Sequence, residues 1–144
     1  MRIYLQKYGI EARLIYNSTK TRASLYANVG KEKGAIVLNG HLDTVPAMPE
    51  NWEVPPLTLT EYNGKFVGRG VCDMKGAIAA SLSLVPKFIK EKANISFIFT
   101  HDEEKAGRGC REVLAEQESK ETLAKASGVI VMEPTNRRVV AQDS

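Results

Sequence analysis

Cysteine, histidine and aromatic residues are all scarce in this chain of 144 residues. Its two cysteines, Cys72 and Cys110, form no Cys-x-x-Cys pair, so a reduced, cytoplasmic protein is the simplest expectation. Cys72 adjoins Asp73 but reads as a small, semi-buried hydrophobe. Aromatic residues make up 7% and the net charge is only +3. Lysine and arginine are dispersed, and no basic stripe interleaved with aromatics exists, which excludes nucleic acid as a partner. No run reaches the roughly 18 apolar residues of a membrane span. The first eight residues lack the apolar segment of a secretory signal. No Gly-x-Gly-x-x-Gly follows a first strand, so dinucleotide binding is excluded as well. Internal repeats and low-complexity segments are absent.

What remains is ordinary globular material, 43% hydrophobic and 26% charged, enough for one modest domain. Residues 2–9 read as the tail of a helix that ends at Gly9. Residues 12–16 and 23–29 mix polar and apolar side chains, as half-exposed outer strands do. Residues 35–38, 95–99 and 129–132 are continuously apolar and read as buried strands. Between residues 42 and 56 lies a long loop, a length that is often functional. Asn63-Gly64 separates residues 57–62 from 65–67 and signals a two-residue hairpin turn. From Asp73 the period changes: Met74, Ile78, Leu82, Val85 and Ile89 form a helical stripe that reads as core packing. Pro86 should kink or end that helix. Residues 109–117 and 119–126 suit two further helices, and 138–141 begin another strand. The order predicts an α/β fold, a mixed and mainly parallel sheet with flanking helices.

Against this background one histidine and several acids recur at a regular step. His41 follows residues 35–38, and Asp73 follows Phe66-Val67 and a Gly-Arg-Gly. Glu103-Glu104 follow residues 95–99, and Glu133 follows 129–132. The successive spacings, His41 to Asp73, Asp73 to Glu104 and Glu104 to Glu133, are 32, 31 and 29 residues, close to the roughly 30 residues of a βαβ unit. Ligand groups in open α/β sheets gather at the carboxyl ends of strands. One imidazole with several converging carboxylates is a donor set for a divalent metal. A bridging carboxylate can hold two cations, which can bring the pKa of water from ~16 to ~7. A further free carboxylate can shuttle the proton. Neighbours on an extended chain point different ways, so Glu103 and Glu104 offer one ligand and one base. Taken singly, the Glu pair would be a solvated strand end and His41 a satisfied polar residue; the constellation reverses both readings.

The strings Gly40-His41-Leu42-Asp43-Thr44-Val45-Pro46, Gly68-Arg69-Gly70-Val71-Cys72-Asp73-Met74-Lys75-Gly76, Thr100-His101-Asp102-Glu103-Glu104 and Glu133-Pro134-Thr135 occur in this order. Together they closely resemble the M20 family of metal-dependent amide hydrolases, most of all its acetylornithine deacetylase and succinyl-diaminopimelate desuccinylase branch. The resemblance runs from about Leu5 to Gln142. It implies a zinc-peptidase-like catalytic domain holding two divalent metals, zinc with cobalt or manganese as alternatives. By matching position, Asp73 would bridge both metals, His41 and Glu133 would complete one, and Glu104 would bind the other. Glu103 would be the general base, and Asp43 would hydrogen-bond the far nitrogen of His41. A cis peptide between Asp73 and Met74 is implied too. His101 falls where the family varies and reads as structural, Arg69 as a loop-ordering charge, and Trp52 and Pro56 match a family loop pattern.

The family's catalytic domain is longer. It inserts a lid and dimerisation domain after a strand near 138–141, then supplies a second histidine ligand, and is often homodimeric through that lid. Residues 1–144 therefore read as a partial metallohydrolase domain without the lid or the C-terminal part. Two functions stay open: an amide hydrolase of N-acyl amino acids or small peptides, incomplete as an isolated chain, or a non-catalytic metal-binding or interaction remnant. An intact Glu103 favours the first; the missing lid and histidine favour the second.

Overall fold

A strand that is apolar on both faces needs cover on both sides, and residues 95–100 are such a strand. The computed structural model describes residues 1–30, 34–136 and 138–140. In chain order it contains α1 (Arg2–Gln6), β1 (Ala12–Tyr16), β2 (Ala23–Val29), β3 (Ile36–His41), β4 (Thr60–Tyr62), β5 (Lys65–Val67), α2 (Gly76–Ser83) and α3 (Val85–Lys90). Then follow β6 (Ile95–Thr100), α4 (Arg108–Ala115), α5 (Gln117–Ala124) and β7 (Gly128–Val131). All six residues of β6 are buried, because it sits at the middle of a five-stranded sheet ordered β1-β2-β6-β3-β7.

Alternation along β6 divides the core. Ile95, Phe97 and Phe99 face one side, where Leu5, Met74, Ile78, Leu82 and Val85 bring in α1, α2 and α3. Ile98 faces the other side, with Tyr26, Val37 and Val113 and the partly buried Leu123, under α4 and α5. Each fully buried Phe contributes about 1.5–3 kcal/mol of hydrophobic burial. Gly109, in the first turn of α4, permits that helix to close on the end of β6: a Cβ there would lie 2.3 Å from the His101 carbonyl oxygen.

The sheet is mixed but not mainly parallel. β1–β2 and β2–β6 are antiparallel, while β6–β3 and β3–β7 are parallel. The cause is the short connection at residues 17–22. It is closed by the Asn17 side chain accepting from the Thr21 and Arg22 amides, and so tight a link can join only antiparallel neighbours. The separate hairpin β4–β5 turns through Asn63 and Gly64, both at positive φ, as the dipeptide predicts.

Other expectations shift in detail. The helix begins at Gly76 rather than Asp73. It ends at Ser83, and α3 restarts with Pro86 in its first turn, where the missing amide costs nothing. Ile89, at the far end of the stripe, is exposed, since the restart rotates it out of line. β7 is not buried: Val129, Ile130 and Val131 are each half exposed, because β7 is the sheet's edge. Residues 138–140 form no strand, and Ala141 lies outside the described residues. Cys72 and Cys110 are both exposed and free. Among the described residues no helix is long and apolar enough to cross a membrane.

Candidate metal centre

Three parallel strands end on the same side of the sheet. His41, the last residue of β3, is level with Thr100 of β6, and Asn39 is level with Val131 of β7. The Met132 amide continues that ladder to the Asn39 carbonyl, so Glu133 arrives beside His41. Past Thr100 the chain turns through His101 and Asp102 and presents Glu103 and Glu104. Asp73 comes from the turn Val71–Lys75, whose backbone is non-helical at Asp73 and Met74 and whose Asp73–Met74 peptide is cis. Met74 is fully buried, and its Sδ accepts the His41 amide at 3.1 Å, which anchors this turn under the end of β3.

The His41 ring is 2% exposed and forms the floor of the cluster. Its Nε2 lies 2.9 Å from Asp73 Oδ1, 3.8 Å from Glu133 Oε1 and 4.0 Å from Glu103 Oε2. Its Nδ1 is 3.0 Å from the Asp43 carbonyl oxygen; a carbonyl can only accept, so Nδ1 carries the hydrogen. The Asp43 carboxylate stands further away, at 3.8 Å. It accepts the backbone amides of Glu103 and Glu104 instead, both at 3.1 Å. Glu104 Oε1 in turn accepts the Val45 amide at 3.3 Å.

Two overlapping groups of side chains lie close enough to hold an ion: His41, Asp73 and Glu104, and His41, Glu103 and Glu133, with ligand atoms within 4.8 Å of one another in each. Among the described residues, Asp73, Glu103 and Glu133 pair with no charged group except His41, and no lysine or arginine pairs with Glu104. Four carboxylates thus face one imidazole, a donor set that matches a divalent cation in charge and in chemistry. His101 lies outside both groups; it is buried, and its Nε2 meets Glu112 at 2.8 Å. Arg69 lays its guanidinium 5.1 Å from the centre of the Trp52 ring and so orders the long loop. A cavity of about 560 Å³, lined by Pro56, Leu59, Phe66 and Val71, opens beside the Asp73 turn.

Electrostatics carry the mark of this crowding. Burial pushes the His41 imidazole down, but the Asp73 carboxylate, the Asp43 carbonyl and the Glu133 charge outweigh it and hold the ring above its ordinary value. The Glu133 carboxyl is pushed up by burial and by Asp73, Glu103 and Glu104, against the pull of His41. Both shifts have the same sign: the folded, metal-free protein holds its protons more tightly than the unfolded chain. The stability they contribute is complete below the ordinary carboxylate range. It is lost in two steps, as pH rises through the raised Glu133 value and then the raised His41 value. Urea midpoints of chelator-treated protein are therefore expected to fall across that span, and His41→Ala should remove the upper step. An upper step that persists in His41→Ala would contradict this assignment.

Comparison with known proteins finds relatives over most of the chain. The sequence model of peptidase family M20/M25/M40 matches residues 37–141. The succinyl-diaminopimelate desuccinylase of Orientia tsutsugamushi (strain Ikeda) is 40% identical over 108 residues, 72% of this chain and 26% of that protein. The enzyme of the same name from Buchnera aphidicola subsp. Cinara cedri (strain Cc) is 39% identical over 146 residues, 96% of this chain and 37% of that protein. Among solved structures, human carnosine dipeptidase 1 superposes with a TM-score of 0.75 at 26% identity, over 90% of this chain and 30% of that one. The chain thus spans between about a quarter and just over a third of the length of these relatives.

Proposed function

The chain belongs to peptidase family M20/M25/M40, and from that premise we propose that it is the metal-binding part of a desuccinylase-like hydrolase of amide bonds in N-acyl amino acids. The observation that carries this reading is the convergence of four carboxylates, unneutralised by any lysine or arginine among the described residues, on the buried His41. Asp73 would be shared by two cations, with His41 and Glu133 on one and Glu104 on the other. The third protein ligand of the second cation, a histidine by the family resemblance, has no counterpart within residues 1–144. We read this span as part of a catalytic domain whose lid and dimer contacts belong to other parts of such a chain. Zinc is the metal proposed, with cobalt and manganese as substitutes.

A divalent cation bound here supplies Lewis acidity toward the amide carbonyl and lowers the pKa of water from ~16 to ~7. The chain's own groups do the rest. Nδ1–H of His41, held by the Asp43 carbonyl, keeps the lone pair of Nε2 directed into the cluster. The Asp43 carboxylate, through two amide bonds, fixes where the Glu pair points. Glu103 accepts the proton of the attacking water and delivers it to the departing amine as the C–N bond breaks.

Support for the amide-hydrolase reading over a binding remnant comes from the half-exposed Glu103 carboxylate beside His41, a group a pure binding module does not need. The test is hydrolysis of N-succinyl-diaminopimelate and N-acetylornithine by the chain combined with a complementing C-terminal segment of a desuccinylase. Metal-dependent turnover that disappears with a chelator and returns with Zn²⁺ is expected. Metal uptake no greater than that of a His41→Ala control would overturn the reading.

A further inference from the structure

Three consecutive acids, Asp102, Glu103 and Glu104, leave β6, yet among the described residues only the first is met by arginine or lysine. Asp102 is 4% exposed. Its Oδ1 accepts Arg22 Nη1 at 3.0 Å, from the connection between β1 and β2. Its Oδ2 lies 3.2 Å from Arg108 Nε, at the start of α4, a charge contact without hydrogen-bond alignment. The Asp102 carbonyl accepts the amides of Ala106 and Gly107 at 3.2 and 2.7 Å. The residue sits at φ +62°, a left-handed conformation that Asp and Asn tolerate better than other side chains. On the other side of the same turn, the Asp43 carboxylate holds the next two amides.

We propose that Asp102, clamped between Arg22 and Arg108, is a positioning residue that sets Glu103 and Glu104 into the metal cluster, an inference that rests on the functional reading above. The clamp has two consequences. The conformation at residue 102 decides the direction in which the chain delivers Glu103, and two arginines from separate elements hold that conformation. The same arginines neutralise the one acid that points inward, so Glu103 and Glu104 keep their negative charge for a cation. Arg22 and Asp102 are 80 residues apart, so the connection between β1 and β2, besides the β2–β6 ladder, reaches the Glu turn through an ion pair. Outer groups of this kind, which never touch the metal, typically change affinity by ~10–100-fold when removed.

The test is Co²⁺ titration of the chain, read by visible absorption, with Asp102→Asn, Arg22→Gln and, as a control, Arg13→Gln from the opposite part of β1. Asn keeps the shape and the left-handed preference but removes the charge. Asp102→Asn and Arg22→Gln are each expected to weaken Co²⁺ by ~10–100-fold and to shift the absorption bands, with the double variant no worse than the single ones. Arg13→Gln should leave both unchanged. Should Asp102→Asn fail to fold, Arg22→Gln decides, because that side chain is half exposed. Unaltered affinity and bands in Arg22→Gln, even with a lowered melting temperature, would mean an ordinary structural ion pair and would overturn the clamp alone. No Co²⁺ uptake by the unsubstituted chain would instead overturn the metal-site reading, and the clamp with it.

Discussion

Glu103→Ala is expected to lower amide hydrolysis in the complemented enzyme by ~10²–10⁴-fold, the usual contribution of a general base, with little change in bound metal. Glu104→Ala should behave differently and lose metal first, with activity following. The two residues are neighbours in one turn. Their settings do differ. Glu104 Oε1 is tied to the Val45 amide and groups with His41 and Asp73, whereas Glu103 is about half exposed, its Oε2 4.0 Å from His41 Nε2. Paired measurements of kcat and of metal content in the same samples distinguish the roles. If Glu103→Ala sheds metal as readily as Glu104→Ala, Glu103 is a ligand, as its alternative grouping with His41 and Glu133 allows, and the base must be sought elsewhere. A loss smaller than about tenfold would leave Glu103 an ordinary surface carboxylate.

The second large effect is on stability. A ligand that binds only the folded state adds about 4 kcal/mol at a free concentration 1,000 times its Kd. For a domain near this size that corresponds to a rise in melting temperature of roughly 8–16 °C. Zn²⁺ is expected to produce such a rise and a chelator to reverse it. The physical source is the relief of repulsion among Asp73, Glu103, Glu104 and Glu133, the same crowding that holds the Glu133 carboxyl up. Asp73→Ala gives the decisive control. It removes one repelling charge together with the contact to His41, so the chelated variant can differ from the chelated parent in melting temperature, but that temperature should show no response to Zn²⁺. A full Zn²⁺ response in Asp73→Ala would mean that the metal binds somewhere else.

Much of the centre is legible from the sequence because its groups sit at the ends of apolar runs, and a parallel strand delivers whatever follows it to one side of the sheet. His41 and Glu133 are placed by that rule alone. Asp73 is not, since it follows a turn rather than a strand; only the surrounding string marks it. Strand direction is illegible in the runs at 12–16 and 23–29, because amphipathic alternation is the same in either direction, and that is why the sheet is less parallel than expected. The apolar run at 129–132 looks buried by composition, but an edge strand has a neighbour on one side only. The ties from Asp43 to the Glu amides and from Arg22 to Asp102 leave no trace in the sequence. Both join residues 60 or more positions apart through side chains that would look equally at home in solvent.

The strand order β6-β3-β7 also governs when the centre can exist during folding. β3 meets β6 across a gap that holds the whole loop, the hairpin, α2 and α3, and meets β7 across a longer one still. Both are parallel pairings of large sequence separation, the kind that form late because loop-closure entropy is spent before contacts repay it. His41, Asp73, the Glu pair and Glu133 therefore come together only after the slowest events of assembly. A cation cannot template the chain from the start; it locks a sheet that is already built, and its effect belongs to the unfolding limb of the kinetics rather than to the folding limb.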